Sequence, residues 1–369
     1  MPKICTAWEG GDEFGLILTE MSDDAALEMV NAVLETAREP VHIGRSPRRC
    51  STSIGLATFP HDGNDPATLF KAADIALYHA KSLGRDRAEI FNNKLRESVE
   101  LRSSLLGDIE NALIRNEFEL FYQPIVPTDT TRQVSLEALM RWRHPKHGVV
   151  SPAHFQIGFE HQPTAAALGM FMLEQAFKDA LRLRTLGVQA RRIAINLTNA
   201  DFRSDLFIDR FFELSQETGV PPRQFCVEVT EGMFLGRDQR RVNQGLQRLH
   251  EAGVEVAFDD FGTGFASLTH LRQMPIDRLK IDRSFIANIE SSSADQAIVE
   301  GIVLMTHKMG KRVVAEGVEN RKQMEILLSM DCDFLQGWLF GKACSVDELP
   351  ELINTMSRDE ARPLRCNVQ

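Results

Sequence analysis

The chain has 369 residues, 43% of them hydrophobic and 25% charged, which is ordinary for a globular protein long enough for two domains. A formal net charge of −10 without any basic block argues against duplex nucleic acid as a partner, whose phosphates call for clustered Lys and Arg. No apolar run reaches the roughly 18 residues of a membrane span and the N-terminus lacks a signal layout, so no membrane segment is expected. The six cysteines (Cys5, Cys50, Cys226, Cys332, Cys344, Cys366) have no C-x-x-C pairing and read as reduced thiols of a cytoplasmic protein.

In chain order, Lys3 to Trp8, the turn Glu9-Gly10-Gly11-Asp12 and Phe14 to Thr19 predict a β-hairpin. A helix from Asp23 to Arg38 follows, then strand material at Val41 to Ile43 and Ser51 to Phe59, then a helix from Pro66 to Leu83. The motifs Gly10-Gly11-Asp12-Glu13-Phe14, Ser53-Ile54-Gly55, Ala73-Asp74-Ile75-Ala76-Leu77-Tyr78 and Lys81 through Gly84-Arg85 resemble the second half of a GGDEF domain, the family that joins two GTP molecules into cyclic di-GMP. The resemblance implies that the strand and two helices preceding this hairpin in the family, with a metal-binding Asp, are missing. Trp8 also stands where the family usually has Arg. Residues 1–93 are therefore expected to be a partial α+β GGDEF domain without cyclase activity, with a sheet edge left unpaired.

Leu95, Val99, Leu101, Leu105, Ile109 and Leu113 space one apolar stripe along a helix from Asn92 to Asn116. It reads as a connecting helix over 94–110 that enters the next domain. A coiled-coil dimer contact is the alternative.

Eight strand-like runs follow, mostly separated by helical stretches: Phe118 to Val126, Leu136 to Trp142, Ile193 to Leu197, Phe225 to Val229, Val254 to Phe258, Arg278 to Ile281, Arg312 to Ala315 and Phe334 to Leu335. They predict a TIM-like (β/α)8 barrel over 111–357, followed by a tail over 358–369. Glu137, Asn196, Glu228, Asp259, Asp260, Lys280, Glu316 and Gln336 lie within or at the ends of seven different runs, and a barrel gathers strand ends at one mouth. Each has a bland explanation alone; Glu316, for instance, could pair with Arg312 or Lys311. Those explanations predict no common location, whereas one polar mouth does. Adjacent acids such as Asp259 and Asp260 can serve one ion cluster only where the strand has ended and the backbone turns, which Gly262 and Gly264 allow. The histidines show no paired ligand spacing, so zinc is not expected.

All of these but Asn196 sit in long ordered motifs: Glu137-Ala138-Leu139 with Arg141-Trp142, Glu228-Val229-Thr230-Glu231, Asp259-Asp260-Phe261-Gly262-Thr263-Gly264, Lys280-Ile281-Asp282, Ala315-Glu316-Gly317-Val318-Glu319 and Gln336-Gly337-Trp338-Leu339-Phe340. The segment resembles the EAL family of cyclic di-GMP phosphodiesterases. That resemblance implies two Mg²⁺ or Mn²⁺ ions, with Glu137, Asn196, Glu228 and Asp259 holding one, and Asp259, Asp260 and waters tied to Glu316 holding the other. It makes Lys280, Glu316 and Glu231 catalytic, Lys280 touching the attacking water and Glu231 bracing the loop from Asp260 to Leu268. A substrate-binding set of Gln123, Leu139, Arg141, Asp282, Glu319 and Gln336 is implied as well, Gln123 toward guanine and Arg141 toward phosphate. Cyclic di-GMP is the implied ligand and a homodimer through the barrel the implied assembly.

The chain departs from the family pattern at Phe155-Gln156-Ile157-Gly158-Phe159-Glu160, at Phe265-Ala266 and at Ala343. None of these is a metal ligand, and the first is expected on the barrel flank near the mouth, where it bears on substrate affinity or partner contacts rather than on chemistry. The residues alone license two-metal phosphoester hydrolysis; hydrolysis of cyclic di-GMP to linear 5′-pGpG is what the resemblance adds. A receptor that binds without turnover is the alternative.

Overall fold

The computed structural model describes residues 3–43, 46–129, 133–234, 239–262 and 274–358. The chain divides into two compact units, Met1–Leu105 and Leu106–Gln369.

In the first unit β1 (Lys3–Gly10) and β2 (Glu13–Thr19) form an antiparallel hairpin, with Gly10 and Gly11 at φ +139° and +59° closing the turn. This hairpin is a sheet of its own, pairing with no further strand among the described residues, and Phe14 and Ile17 stay exposed on it. Ser22 caps the helix α1 (Asp23–Arg38). A short antiparallel pair follows, β3 (Val41–Ile43) with β4 (Ser46–Arg48). Strand β5 (Ile54–Leu56) is shorter than the predicted Ser51 to Phe59, and pairs in parallel with β6 (Ala88–Ile90) across the helix α2 (Pro66–Ser82). Asp65 caps that helix and Pro66 starts it, where the missing N–H costs nothing. The strand lies so close to the helix that a Cβ on Gly55 would meet the Ala73 carbonyl at 2.1 Å. Ala72, Ile75, Ala76 and Phe91 form the local core, with Leu95 and Val99 packed on it.

Helix α3 (Asn93–Ile114) carries the chain across the division between the units. All eight predicted runs then appear as strands: β7 (Phe118–Pro127), β8 (Ser135–His144), β10 (Ile193–Asn196), β11 (Phe225–Thr230), β12 (Glu255–Phe261), β13 (Arg278–Ile281), β14 (Arg312–Ala315) and β15 (Phe334–Gln336). Two small strands attach to them, β9 (Gly148–Val150) to β8 and β16 (Cys344–Ser345) to β7. Strands β8, β10, β11, β12, β13, β14 and β15 are successively parallel, and β7 closes the barrel between β15 and β8. A regular (β/α)8 barrel is parallel throughout; here β7 runs antiparallel to both neighbours. The reason is local. The stretch from Pro127 to Ser135 is too short for a parallel crossover, which takes a dozen residues or more, so β7 and β8 pair as a hairpin.

Ile125, Ala194, Cys226, Ala257, Val314 and Phe334, one from each of six strands, form an apolar layer across the barrel. Because strand side chains alternate, residues two positions further along the five parallel strands of this layer, and two positions earlier on antiparallel β7, line the barrel in the next layer toward the mouth. Asn196, Glu228, Asp259, Glu316 and Gln336 occupy those positions. Burial pushes the Cys226 and Cys332 thiols up to about 12, so both are inert apolar packing. No helix among the described residues is long and apolar enough to cross a membrane.

Candidate active site at the barrel mouth

Lys280, on β13, is the centre of the polar layer. Its side chain is almost wholly buried, and its Nζ lies 2.5 Å from Glu228 Oε2, 2.6 Å from Glu316 Oε1, 3.1 Å from Asp259 Oδ1 and 3.7 Å from Glu137 Oε2. One cation thus serves four carboxylates. Burial alone would lower the Lys280 ammonium, but the four surrounding carboxylates hold it well above its ordinary value. Neither Arg312 nor Lys311 is the partner of Glu316: Arg312 bonds Glu255, and Lys311 donates to the Ile276 carbonyl.

The carboxylates differ in how much charge they can keep. Burial would raise Glu137, but Lys280 and hydrogen bonds from Gln336 Nε2 (2.5 Å) and Asn196 Nδ2 (3.0 Å) hold it below the usual range. Glu228 is driven well above that range by burial and by the neighbouring Glu137 and Asp259 charges. Burial, against Lys280 and with Asp259 and Glu137 adding to it, pushes Glu316 up to about 7. The mouth holds more negative charge than one lysine neutralises.

The adjacent acids reach one site through a β-bulge. Strand β12 continues to Phe261 rather than ending at Phe258; its register on β13 shifts between Phe258 and Phe261, and Asp260 takes φ +53°. Asp259 is therefore buried while Asp260 is exposed beside it, its N–H donating to Asp259 Oδ1 at 3.0 Å. Gly262 follows at φ +99°, with Phe285 so near that a Cβ would come within 2.8 Å of its ring. Oxygens of Asp259, Asp260 and Glu316 lie within 4.8 Å of one another. Burial and the charges of Asp259 and Asp282 raise Asp260.

The structure also places the remaining predicted residues. Gln123 and Gln336 meet across β7 and β15 at 3.3 Å, and Gln123 Nε2 donates to the Gly341 carbonyl at 3.1 Å. Half-buried Arg141 lies over the Phe121 ring at 5.7 Å and donates to the Met140 carbonyl at 2.8 Å. Leu139 lines a cavity of about 660 Å³ that also reaches Asn196. Asp282 is engaged locally, capping the helix Arg283–Ala287 by accepting from the Ser284 N–H at 3.0 Å. Glu319 is exposed, with its backbone N–H on Gln323 Oε1. Glu231 is buried at the head of the turn Glu231–Phe234; most of the loop it was expected to brace lies outside the described residues, as do Gly264 and Phe265-Ala266.

Sequence reasoning missed the cavity. Its walls come from β8, from Phe159, Glu160 and Gln162, from Thr198 to Ala200 with Arg203, and from Thr230 and Met233. Phe159 and Glu160 belong to the stretch that departs from the family pattern, so that departure forms part of the wall beside the acidic layer.

The fold and site define a β/α barrel with one antiparallel strand, whose mouth offers an all-oxygen, carboxylate-rich donor set to cations. Residues 106–343 match the EAL domain family, and the chain belongs to that family. Residues 5–87 match the diguanylate cyclase, GGDEF domain. The cyclic di-GMP phosphodiesterase NbdA of Pseudomonas aeruginosa is 32% identical over 355 residues, 96% of this chain and 45% of that protein. The bifunctional diguanylate cyclase/cyclic di-GMP phosphodiesterase MucR of the same organism is 34% identical over 341 residues, 92% of this chain and 50% of that protein. The chain thus spans about half the length of these relatives. Among solved structures, the PaMucR phosphodiesterase in complex with c-di-GMP superposes with TM-score 0.61 at 35% identity, covering 67% of this chain and 99% of that one. The EAL enzyme Bd1971 with cAMP and cyclic di-GMP gives TM-score 0.67 at 27% identity, covering 92% and 80%.

Proposed function

We propose that the barrel hydrolyses cyclic di-GMP to linear 5′-pGpG with two divalent cations. The observation that carries this reading is the charge imbalance of the mouth: five acidic residues, Glu137, Glu228, Asp259, Asp260 and Glu316, with Lys280 the cation among them. A diester with two phosphate charges would be repelled by such a site. The all-oxygen donor set fits Mg²⁺ or Mn²⁺, and two such ions would favour the ionised form of the raised Glu228, Asp260 and Glu316 carboxyls and bring the layer close to neutrality. Bound there, divalent ions supply phosphoryl polarisation and a more acidic water.

The chain's own residues do the rest. Glu137, Asn196, Glu228 and Asp259 would hold one ion, and Asp259 and Asp260, assisted by Glu316, would hold the second. Lys280 directs its ammonium at the attacking water, and Glu231 braces the adjoining loop. Gln336 fixes Glu137 and Gln123 at once, so the carboxylate geometry is coupled to the residue set toward guanine. Arg141 takes a phosphate oxygen, while Leu139, Asp282 and Glu319 border the substrate. In the reaction the water oxygen bonds to one phosphorus and the P–O3′ bond breaks. The water supplies the proton of the new 3′-hydroxyl, leaving a terminal 5′-phosphate.

The GGDEF region, on this reading, makes no cyclic di-GMP and serves regulation or dimerisation, the barrel itself pairing as a homodimer. Support comes from the hairpin, where Glu13 is engaged by Lys81 at 3.0 Å. Among the described residues the cysteines form no disulfide, and two of them, Cys226 and Cys332, are buried, which fits a cytoplasmic setting. The test is product analysis by chromatography after incubation with cyclic di-GMP and Mg²⁺, and separately with GTP. Linear 5′-pGpG from the first and nothing from the second is expected; tight binding without turnover would make the protein a receptor instead.

A further inference from the structure

The end of the barrel opposite the mouth carries the reverse charge pattern. Glu255, buried at the start of β12, lies 2.5 Å from Arg278 Nη2, 2.6 Å from Arg312 Nη2, 2.9 Å from Arg192 Nε and 3.8 Å from Arg191 Nη2. Four guanidinium groups share one carboxylate. The neighbouring acids are engaged elsewhere: Asp277 with the Val256 N–H and His250, Asp333 with the Val313 N–H and His307. Arg192 also donates to the Arg223, Phe225 and Gly253 carbonyls. Arg278 stacks on Phe334 at 4.4 Å, and its enclosed Nε has no hydrogen-bond acceptor among the described residues. Burial lowers the Arg191 guanidinium; Glu255 opposes that, and repulsion from Arg312, Arg278 and Arg192 adds to it.

We propose that this end of the barrel is a binding site for a tetrahedral oxyanion, inorganic phosphate or a phosphate monoester, held by Arg191 and Arg312 outside Glu255. Both side chains are about a quarter exposed, at 29% and 26%, so an anion reaches them without opening the barrel. Their terminal nitrogens converge on the same Glu255 Oε1 and are therefore within the roughly 7 Å that a phosphate spans through two ordinary hydrogen bonds. Guanidinium forks suit carboxylate as well as phosphate, but the excess of positive charge favours a dianion.

The test uses the whole chain in EDTA, where the acidic mouth repels anions, and does not depend on turnover. Inorganic phosphate is titrated calorimetrically against a chloride background of equal ionic strength, with guanosine 5′-monophosphate as a second arm. One saturable phosphate site per chain is expected, weakened roughly tenfold or more in the double variant R191Q/R312Q. Equal affinity in the two arms assigns the site to phosphate alone; tighter monophosphate binding that is lost in the variant assigns it to a nucleotide. If the double variant fails to fold, Arg191→Gln, whose contact with Glu255 is the loosest of the four, gives the same reading. No saturable binding above chloride, or binding unchanged by the substitutions, overturns the proposal.

Discussion

The two ends of the barrel are charge mirror images built on the same strands. Strand β13 carries Arg278 at one end and Lys280 two residues on; β12 carries Glu255 and then Asp259; β14 carries Arg312 and is followed by Glu316. On β12 and β14 a residue of the apolar layer, Ala257 or Val314, stands between the two ends, whereas on β13 Arg278 and Lys280 are consecutive inward residues. At the base, positive charge closes around one carboxylate in direct ion pairs, and at the mouth negative charge crowds around one ammonium. The difference lies in what each excess sign can recruit. Crowded carboxylates with all-oxygen donors call for divalent cations, whereas crowded guanidinium groups, which also bond carbonyls and stack on Phe334, tie strands together and leave at most an anion to be added.

The comparison breaks first if divalent ions are irrelevant to the mouth. EDTA should abolish hydrolysis of cyclic di-GMP, Mg²⁺ or Mn²⁺ should restore it, and Ca²⁺, with longer bonds and looser geometry, should inhibit. Glu137→Ala and Asp259→Asn should each lower turnover by ~10³-fold or more in folded protein, as followed by chromatography of the product. Turnover within tenfold of the parent would remove those residues from the proposed ligand set.

Single-partner removal sharpens the contrast. Glu255→Gln should destabilise the chain by roughly 3–5 kcal/mol, since it leaves buried guanidinium groups facing one another, and Mg²⁺ should not restore the loss. Lys280→Ala should also destabilise the metal-free protein, yet Mg²⁺ should recover most of the difference, with turnover still down ~10²-fold. Thermal unfolding with and without Mg²⁺ reads both; equal rescue of the two variants would mean that the ends are not different in kind.

The smallest effect concerns Asp201, behind the mouth, where a Cβ on Gly169 would come within 1.9 Å of its Oδ1. Burial pushes its carboxyl from 3.8 up to about 6, against hydrogen bonds from Thr198. Below both values the folded and unfolded states are equally protonated. Between them the unfolded chain loses the proton first, so stability falls as pH rises through that window and is level above it. Relative to the parent, Asp201→Asn should gain stability between about pH 4 and pH 6 and hold that gain at higher pH. A difference independent of pH would refute the assignment.

Much of this was legible in the sequence because the inward residues of short parallel strands announce themselves. Eight apolar runs with polar residues at their ends placed Glu137, Asn196, Glu228, Asp259, Lys280, Glu316 and Gln336 in one layer before any coordinates. The direction of β7 was less visible, although only seven residues separate Pro127 from Ser135 and a connection that short is the signal for a hairpin. The bulge at Asp259–Asp260 was not readable, since it depends on pairing with β13 rather than on local propensity. The departing stretch Phe155 to Glu160 was legible as lying on the barrel flank near the mouth, where Phe159 and Glu160 line the cavity, but the cavity itself and its wall at Arg203 were hidden, because it joins separate segments that only the packed barrel brings together. The base cluster follows from two-residue parity once the strands are fixed, but its ion pairs depend on register.

The most direct test of the account counts the cations. Mn²⁺ titrated into metal-free protein, with free ion followed by electron paramagnetic resonance, should fill two sites per chain, and hydrolysis of cyclic di-GMP should rise with occupancy of the second. Asp260→Asn should weaken one site and leave the other. Hydrolysis that is undiminished with no Mn²⁺ bound, or Mn²⁺ uptake that is unaffected by Asp259→Asn, would contradict the claim that the mouth's excess negative charge is there to hold metal.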